Sequence, residues 1–382
     1  MADRADAPAV PAAVRPAGAA GSVTVREYGT RYLRISVRYH GDARFSWLRV
    51  PGPAHDRPQA PPSPAAGVAL RRVDAAIARD GIARAGSTGD GSAPGGIARA
   101  GSGARLALGE WDAVSEEGGV VYRVPGAVSV ARLLPSGDET AYRLSVQALA
   151  DVGRTLRQLH DVPWEFGEPV PPHHGVGRLL DWISGAAPEG NPDGDGARLR
   201  ALAHDRLGPR LWTRLTDWAV AAHEPPGRGG AVLLHGAPST GWLVPSPAGD
   251  SVLLTGEEIT GGDPALDLGW ILGELHELRS AATRGLGAAG RGPSVDYPAA
   301  ARALLAGYLR TEGGPDDSDP DDGSPEDTAA ALPPGTARAA TLRLAIHMRD
   351  FASFVGWHED LRRYADLLAE TLDADGAPTL RW

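Results

Sequence analysis

Apolar and polar positions alternate at the front of the chain and then recur at helical spacing. This pattern predicts a sheet followed by a larger helical body. Ser22–Tyr28, Arg31–Tyr39 and Arg44–Val50 are β-rich runs separated by Gly29 and by His40-Gly41-Asp42, which have the composition of tight turns, so a three-stranded meander is expected. Pro51–Pro64 reads as a connector, and Ala65–Arg79 spaces Val68, Leu70, Val73 and Ile77 as a helix would. Leu106–Trp111 and Val120–Val124 are predicted as two more strands, giving a small lobe of five strands and one helix over residues 22–135. Beyond it, Tyr142–His160 carries Leu144, Leu149, Val152, Leu156 and Leu159 on one face. Arg210–Ala222, Pro264–Arg279, Tyr297–Leu309, Ala337–Val355 and Glu359–Leu372 repeat that amphipathic pattern. Trp182, Trp212 and Trp218 fall on helical segments and read as core. The expected class is α+β, with a β-rich N-lobe and a larger α-helical C-lobe over residues 136–382.

Three stretches interrupt this scheme. Residues 1–21 are Ala/Pro-rich and read as a disordered leader. The heptapeptide Gly81–Ser87 recurs unchanged as Gly96–Ser102, and the region 81–103 is expected to be a flexible duplicated insertion, because two Gly-rich copies cannot build a repeat core. Residues 313–327 form an Asp-rich run with Pro, Gly and Ser, read as a solvated loop.

Composition narrows the chemistry. The chain has no cysteine, so disulfides, thiolate catalysis and thiolate metal sites are excluded. The leader lacks the apolar core of a secretory signal and no apolar run approaches a membrane span, so a cytoplasmic protein without membrane attachment is expected. A formal charge of −10, with arginines spread singly, argues against nucleic acid and favours a cationic ligand or a peptide partner. Lysine is absent and Asn191 is the only asparagine, a bias that a genome of very high GC content produces.

The candidate chemistry lies in Val232-Leu233-Leu234-His235-Gly236-Ala237-Pro238-Ser239-Thr240-Gly241-Trp242-Leu243-Val244, a strand entering a loop and leaving as a strand. This stretch resembles the catalytic loop H-G-D-x-x-x-x-N of aminoglycoside phosphotransferases. Val252–Glu258 is similar to the family's metal-binding strand, and Gly262-Asp263-Pro264-Ala265-Leu266-Asp267-Leu268 is similar to its G-D-P-x-x-D-L-A segment. Gly153–His160 resembles a helix end of the family, and Val121–Gly126 the strand before the interlobe hinge. The resemblance spans residues 22–372 in the family's order and implies a bilobal, protein-kinase-like fold.

Phosphoryl transfer in such enzymes needs an Asp to orient the acceptor hydroxyl, an Asn and an Asp for magnesium, and a cation on the phosphates. The positions that the resemblance assigns to the first three hold Ala237, Trp242 and Thr255. Methyl, indole and hydroxyl groups cannot replace them, and codon bias does not account for lost Asp in a chain that uses Asp freely. The phosphate-pairing lysine corresponds to Arg49, which keeps the charge. His235, Gly236, Asp263 and Asp267 remain, residues that hold loop geometry in the family, and His235 is expected to be a buried, hydrogen-bonded loop histidine. The retained scaffold implies a pseudokinase-like member, with no catalytic residue and no metal site assigned.

Three readings follow. The first is a non-phosphorylating protein that binds a small molecule or peptide without a cofactor. The family resemblance adds a setting for it, because such proteins occur in bacterial natural-product pathways, including those that modify ribosomally made peptides beside a partner enzyme. The second is an active small-molecule or peptide kinase with displaced residues, using ATP, magnesium on Glu257 or Glu258, and Arg49 on phosphate. On a strand only one of these two glutamates would face the cleft. The third is a cyclase-type enzyme that holds its substrate in the cleft. Trp242 is expected to fill the emptied metal pocket, and His173-His174, in a Pro-rich loop, to be solvent-exposed and metal-free.

Overall fold

In the computed structural model the meander forms as expected: β1 (Val23–Gly29), β2 (Leu33–Tyr39) and β3 (Phe45–Pro51) pair antiparallel in sequence order. The described residues are 22–42, 44–57, 59–87, 103–111, 119–186, 194–225, 230–285, 295–309 and 329–382. The leader, the second heptapeptide copy and the run 313–327 lie outside them. Along β2, Leu33, Ile35 and Val37 point inward while Arg34 and Arg38 face water, and Trp47, Val120, Tyr122 and Val124 complete that apolar face.

The fold is α+β, a small antiparallel sheet beside a larger helical part. The sheet differs from the expected five strands. β5 (Val120–Val124) pairs with β3, giving the order β1-β2-β3-β5, whereas β4 is confined to Arg105–Ala107 and runs parallel to β8 (Ser251–Leu254), which also pairs with β7 (Leu243–Pro245). The cause is local. Asp74 of α1 (Pro64–Ser87) takes the Leu106 amide at 2.9 Å and the Arg105 guanidinium, so β4 is drawn to the helix side. α1 extends through the first heptapeptide copy, Gly81–Ser87.

The helical part runs α2 (Val130–Leu133), α3 (Glu139–His160), α4 (His174–Ser184), α5 (Asp195–His223), α6 (Ala265–Arg284), α7 (Tyr297–Leu309), α8 (Thr336–Phe354) and α9 (Asp360–Asp373). α3 begins where the Asp138 carboxylate accepts the Ala141 amide at 2.7 Å, an N-cap. α5 is two helical stretches meeting at Gly208, which takes φ 63°, and Pro209 starts the second at its first turn. One apolar core joins α1, α3, α6 and α7 to the strands beneath them, and a second joins α4, α5, α8 and α9. Trp182 is buried in the second, with Trp212 and Trp218 packed partly buried against it. Among the described residues no helix is long and apolar enough to cross a membrane.

Candidate functional site

The loop 235–242 hangs between β6 (Val232–Leu234) and β7, and β6 pairs antiparallel with β9 (Thr260–Gly262). Two carboxylates of α6 shape it from below. Asp267, fully buried, accepts the amides of His235 at 2.7 Å and Gly236 at 2.8 Å, and His160 Nε2 approaches the same carboxylate at 3.2 Å, its other nitrogen meeting the Tyr308 hydroxyl. One face-repeat further along α6, Glu274 accepts the Thr240 amide at 2.9 Å, the Thr240 hydroxyl at 2.7 Å and the Ser239 hydroxyl at 3.2 Å. Glu274 escaped the sequence reading. Its position seven residues after Asp267, on one face of a helix, is the signal that could have found it. Asp263 is exposed at the start of α6, where it accepts the Ala265 amide at 2.8 Å.

Burial pushes the Asp267 carboxyl up, but the His160 hydrogen bond and the amides outweigh it and hold the group below its ordinary range. His235 is 2% exposed and donates from Nε2 to the Leu254 carbonyl at 2.9 Å, and burial lowers its pKa, so it stays neutral.

The four positions that the resemblance assigns to chemistry are occupied as follows. Ala237 is buried. Thr255 is buried and its hydroxyl donates to the Ala107 carbonyl at 2.8 Å. Arg49, 6% exposed on β3, donates to the Tyr122 hydroxyl at 3.3 Å and lies 4.2 Å from the ring centroid of Trp242. The residue in the phosphate-cation position thus stacks on the residue in the metal-amide position. Replacing Trp242 with alanine is expected to cost about 2 to 4 kcal/mol of unfolding free energy, combining a lost aromatic contact with an uncovered guanidinium, read as the shift of the urea midpoint.

Glu257 and Glu258 do not lie on a strand. β8 ends at Leu254, and the two glutamates occupy the turn that follows, so both side chains reach partners. Glu257 meets His55 at 3.1 Å, and Glu258 meets Arg57 at 3.6 Å and His174 at 3.5 Å. The expectation for His173-His174 is also corrected. His173 is 4% exposed and caps α4 with its ring nitrogen toward the Val176 amide, while His174 is part-buried between Glu258 and Asp56. The helix start concealed by the prolines before it is what buries the first ring. Among the described residues no group of three or more His, Asp or Glu side chains is arranged to hold a metal ion.

No protein-family model and no curated protein matches the chain. Solved structures similar to it include the macrolide 2'-phosphotransferase apoenzyme from Brachybacterium faecium, with 18% identity over 91% of each chain and a TM-score of 0.35. Another is a choline kinase from Streptococcus pneumoniae, with 12% identity over 92% of this chain and 95% of that one and a TM-score of 0.42. The Plasmodium vivax ethanolamine kinase shares 10% identity over 92% of this chain and 81% of its own, with a TM-score of 0.46.

Proposed function

We propose that this chain is a phosphotransferase-like protein that does not transfer phosphate. In this reading it is a binding component for a small molecule or peptide, in a pathway that modifies ribosomally made peptides beside a partner enzyme. The observation that carries it is the Arg49–Trp242 stack. A triphosphate with its divalent ion needs a free cation and anionic or amide oxygens. Here the guanidinium lies against an indole, the Thr255 hydroxyl is spent on a backbone carbonyl, and Ala237 offers a methyl group.

The rival reading, a kinase with magnesium on Glu257 or Glu258, would have to take each glutamate from partners it already holds. Removing a partner from a buried pair leaves a stranded charge, at about 3–5 kcal/mol. A cationic or peptide ligand accords with the formal charge of −10.

The test is thermal unfolding with and without magnesium-ATP. A ligand that binds only the folded state raises the melting temperature by mass action, and saturation at about 100 times Kd is worth about 2.7 kcal/mol. No displacement is expected at millimolar magnesium-ATP. A rise that requires both the nucleotide and the metal would overturn the proposal.

A further inference from the structure

We propose that His55 is a proton-dependent latch between the lobes: as an imidazolium in the segment after β3 it holds Glu257 of the turn after β8, and losing its proton loosens the interlobe cleft.

Both ring nitrogens of His55 face oxygen acceptors. Nδ1 contacts the Arg57 carbonyl and Nε2 lies 3.1 Å from Glu257 Oε1. A neutral imidazole has one N–H and one lone pair, so one of these contacts would set a lone pair against an oxygen. Against an ionised Glu257, only the doubly protonated ring satisfies both. The ring and the carboxylate side chain are each 3% exposed, and Glu257 Oε2 is buried without a hydrogen-bond partner among the described residues, so deprotonating His55 leaves a buried carboxylate with less compensation.

The surroundings fix which groups share this response. Tyr32, from the connection between β1 and β2, stacks on the His55 ring at 4.4 Å and also packs on Phe354 at the end of α8. The Arg31 amide donates to the Phe354 carbonyl at 3.0 Å, so the tip of the sheet rests on the helical part. On the latch's own segment, Asp56 and Arg57 follow His55, and Arg57 donates to the Glu257 carbonyl at 3.2 Å. From α4, His174 meets Asp56 at 3.1 Å, while Arg178 lies 2.8 Å from His174 Nδ1, 3.2 Å from the Tyr32 hydroxyl and 3.1 Å from Asp350 of α8. Tyr122 of β5 lies within electrostatic reach of Glu257. His174 differs from His55 in having a donor at hand, since Arg178 lies 2.8 Å from its Nδ1, but that nitrogen also faces Glu258 at 3.5 Å while Nε2 faces Asp56. Burial lowers the His174 pKa and the hydrogen bonds of Asp56 and Glu258 more than reverse this, so His174 also holds its proton, and the His174→Gln variant separates its share of the response from that of His55.

Burial lowers the His55 pKa, and the hydrogen bond and charge of Glu257 more than reverse this, leaving it above its ordinary value. A raised folded-state value means that the contribution is fully present below about 6.5 and is lost as pH rises through the folded value. The latch is closed in mild acid and loosened in alkali, whether or not the cleft binds nucleotide.

The absence of cysteine makes the test direct. Spin labels placed through Thr24→Cys on β1 and Thr213→Cys on α5, both exposed, report the distance between the lobes. The expected distance distribution is narrow at about pH 6 and broader and longer at about pH 9, on either side of the histidine range. His55→Gln should be broad at both values, Glu257→Gln should lose the response, and His174→Gln should keep it. An identical distribution at the two pH values in the parent protein, or a pH response that persists in His55→Gln, overturns the proposal. Should either variant at the latch fail to fold, the parent comparison with His174→Gln still decides.

Discussion

Gly236→Ala is expected to destabilise the protein by about 3 kcal/mol or more, read as a lowered urea midpoint without loss of slope. Two costs add there. Gly236 sits at φ 85°, a conformation that costs an L-residue roughly 1–2 kcal/mol. An added Cβ would also fall 1.8 Å from the Glu258 carbonyl oxygen, which is backbone and must move. Gly249→Ala separates the two, since Gly249 has φ 92° but nothing within 4 Å of the added atom, so only the strain of roughly 1 kcal/mol is expected. The difference between the variants measures the close approach of the loop to the turn that carries Glu257 and Glu258. The same displacement would disturb those glutamates, so Gly236 supports their contacts with His55, Arg57 and His174 as well as the loop.

The parts of the molecule that were legible in the sequence are those whose signal is local and periodic. α3, α7, α8 and α9 fall within about three residues of their predicted bounds, because an amphipathic stripe several turns long outweighs end effects. α4 was hidden because Gly175 and Gly177 weaken its helical signal and prolines precede it, although Val176, Leu179 and Trp182 carry its buried face. The placement of β4 rests on Asp74, some thirty residues earlier, and has no local signature. The same holds at the site. The motif order pointed to Ala237, Trp242 and Thr255 one by one, but the stacking of Trp242 on Arg49 joins residues nearly two hundred apart. His55 attracted no notice in the sequence, since a single histidine in a Pro-rich connector acquires meaning only when the fold sets Glu257 against it.

Asp267→Ala is expected to be the most damaging substitution in the loop's support, at about 3–5 kcal/mol, the range for removing one member of a buried charged pair. The carboxylate accepts two backbone amides and faces His160, and truncation leaves all of these donors buried without an acceptor. Asp267→Asn keeps the shape and tests the charge. Because the folded-state pKa is depressed, the stabilisation is fully present above about 3.9, the unfolded value, and is lost as pH falls through the folded value. The two stability curves should therefore run parallel from neutral pH down to about pH 4 and converge below it, as the parent takes up the proton that the amide never binds. Urea titrations at several pH values in that range measure this convergence. Curves that stay parallel into acid would show that the amides and His160 hold a group indifferent to its charge, and the loop would then be maintained by packing alone.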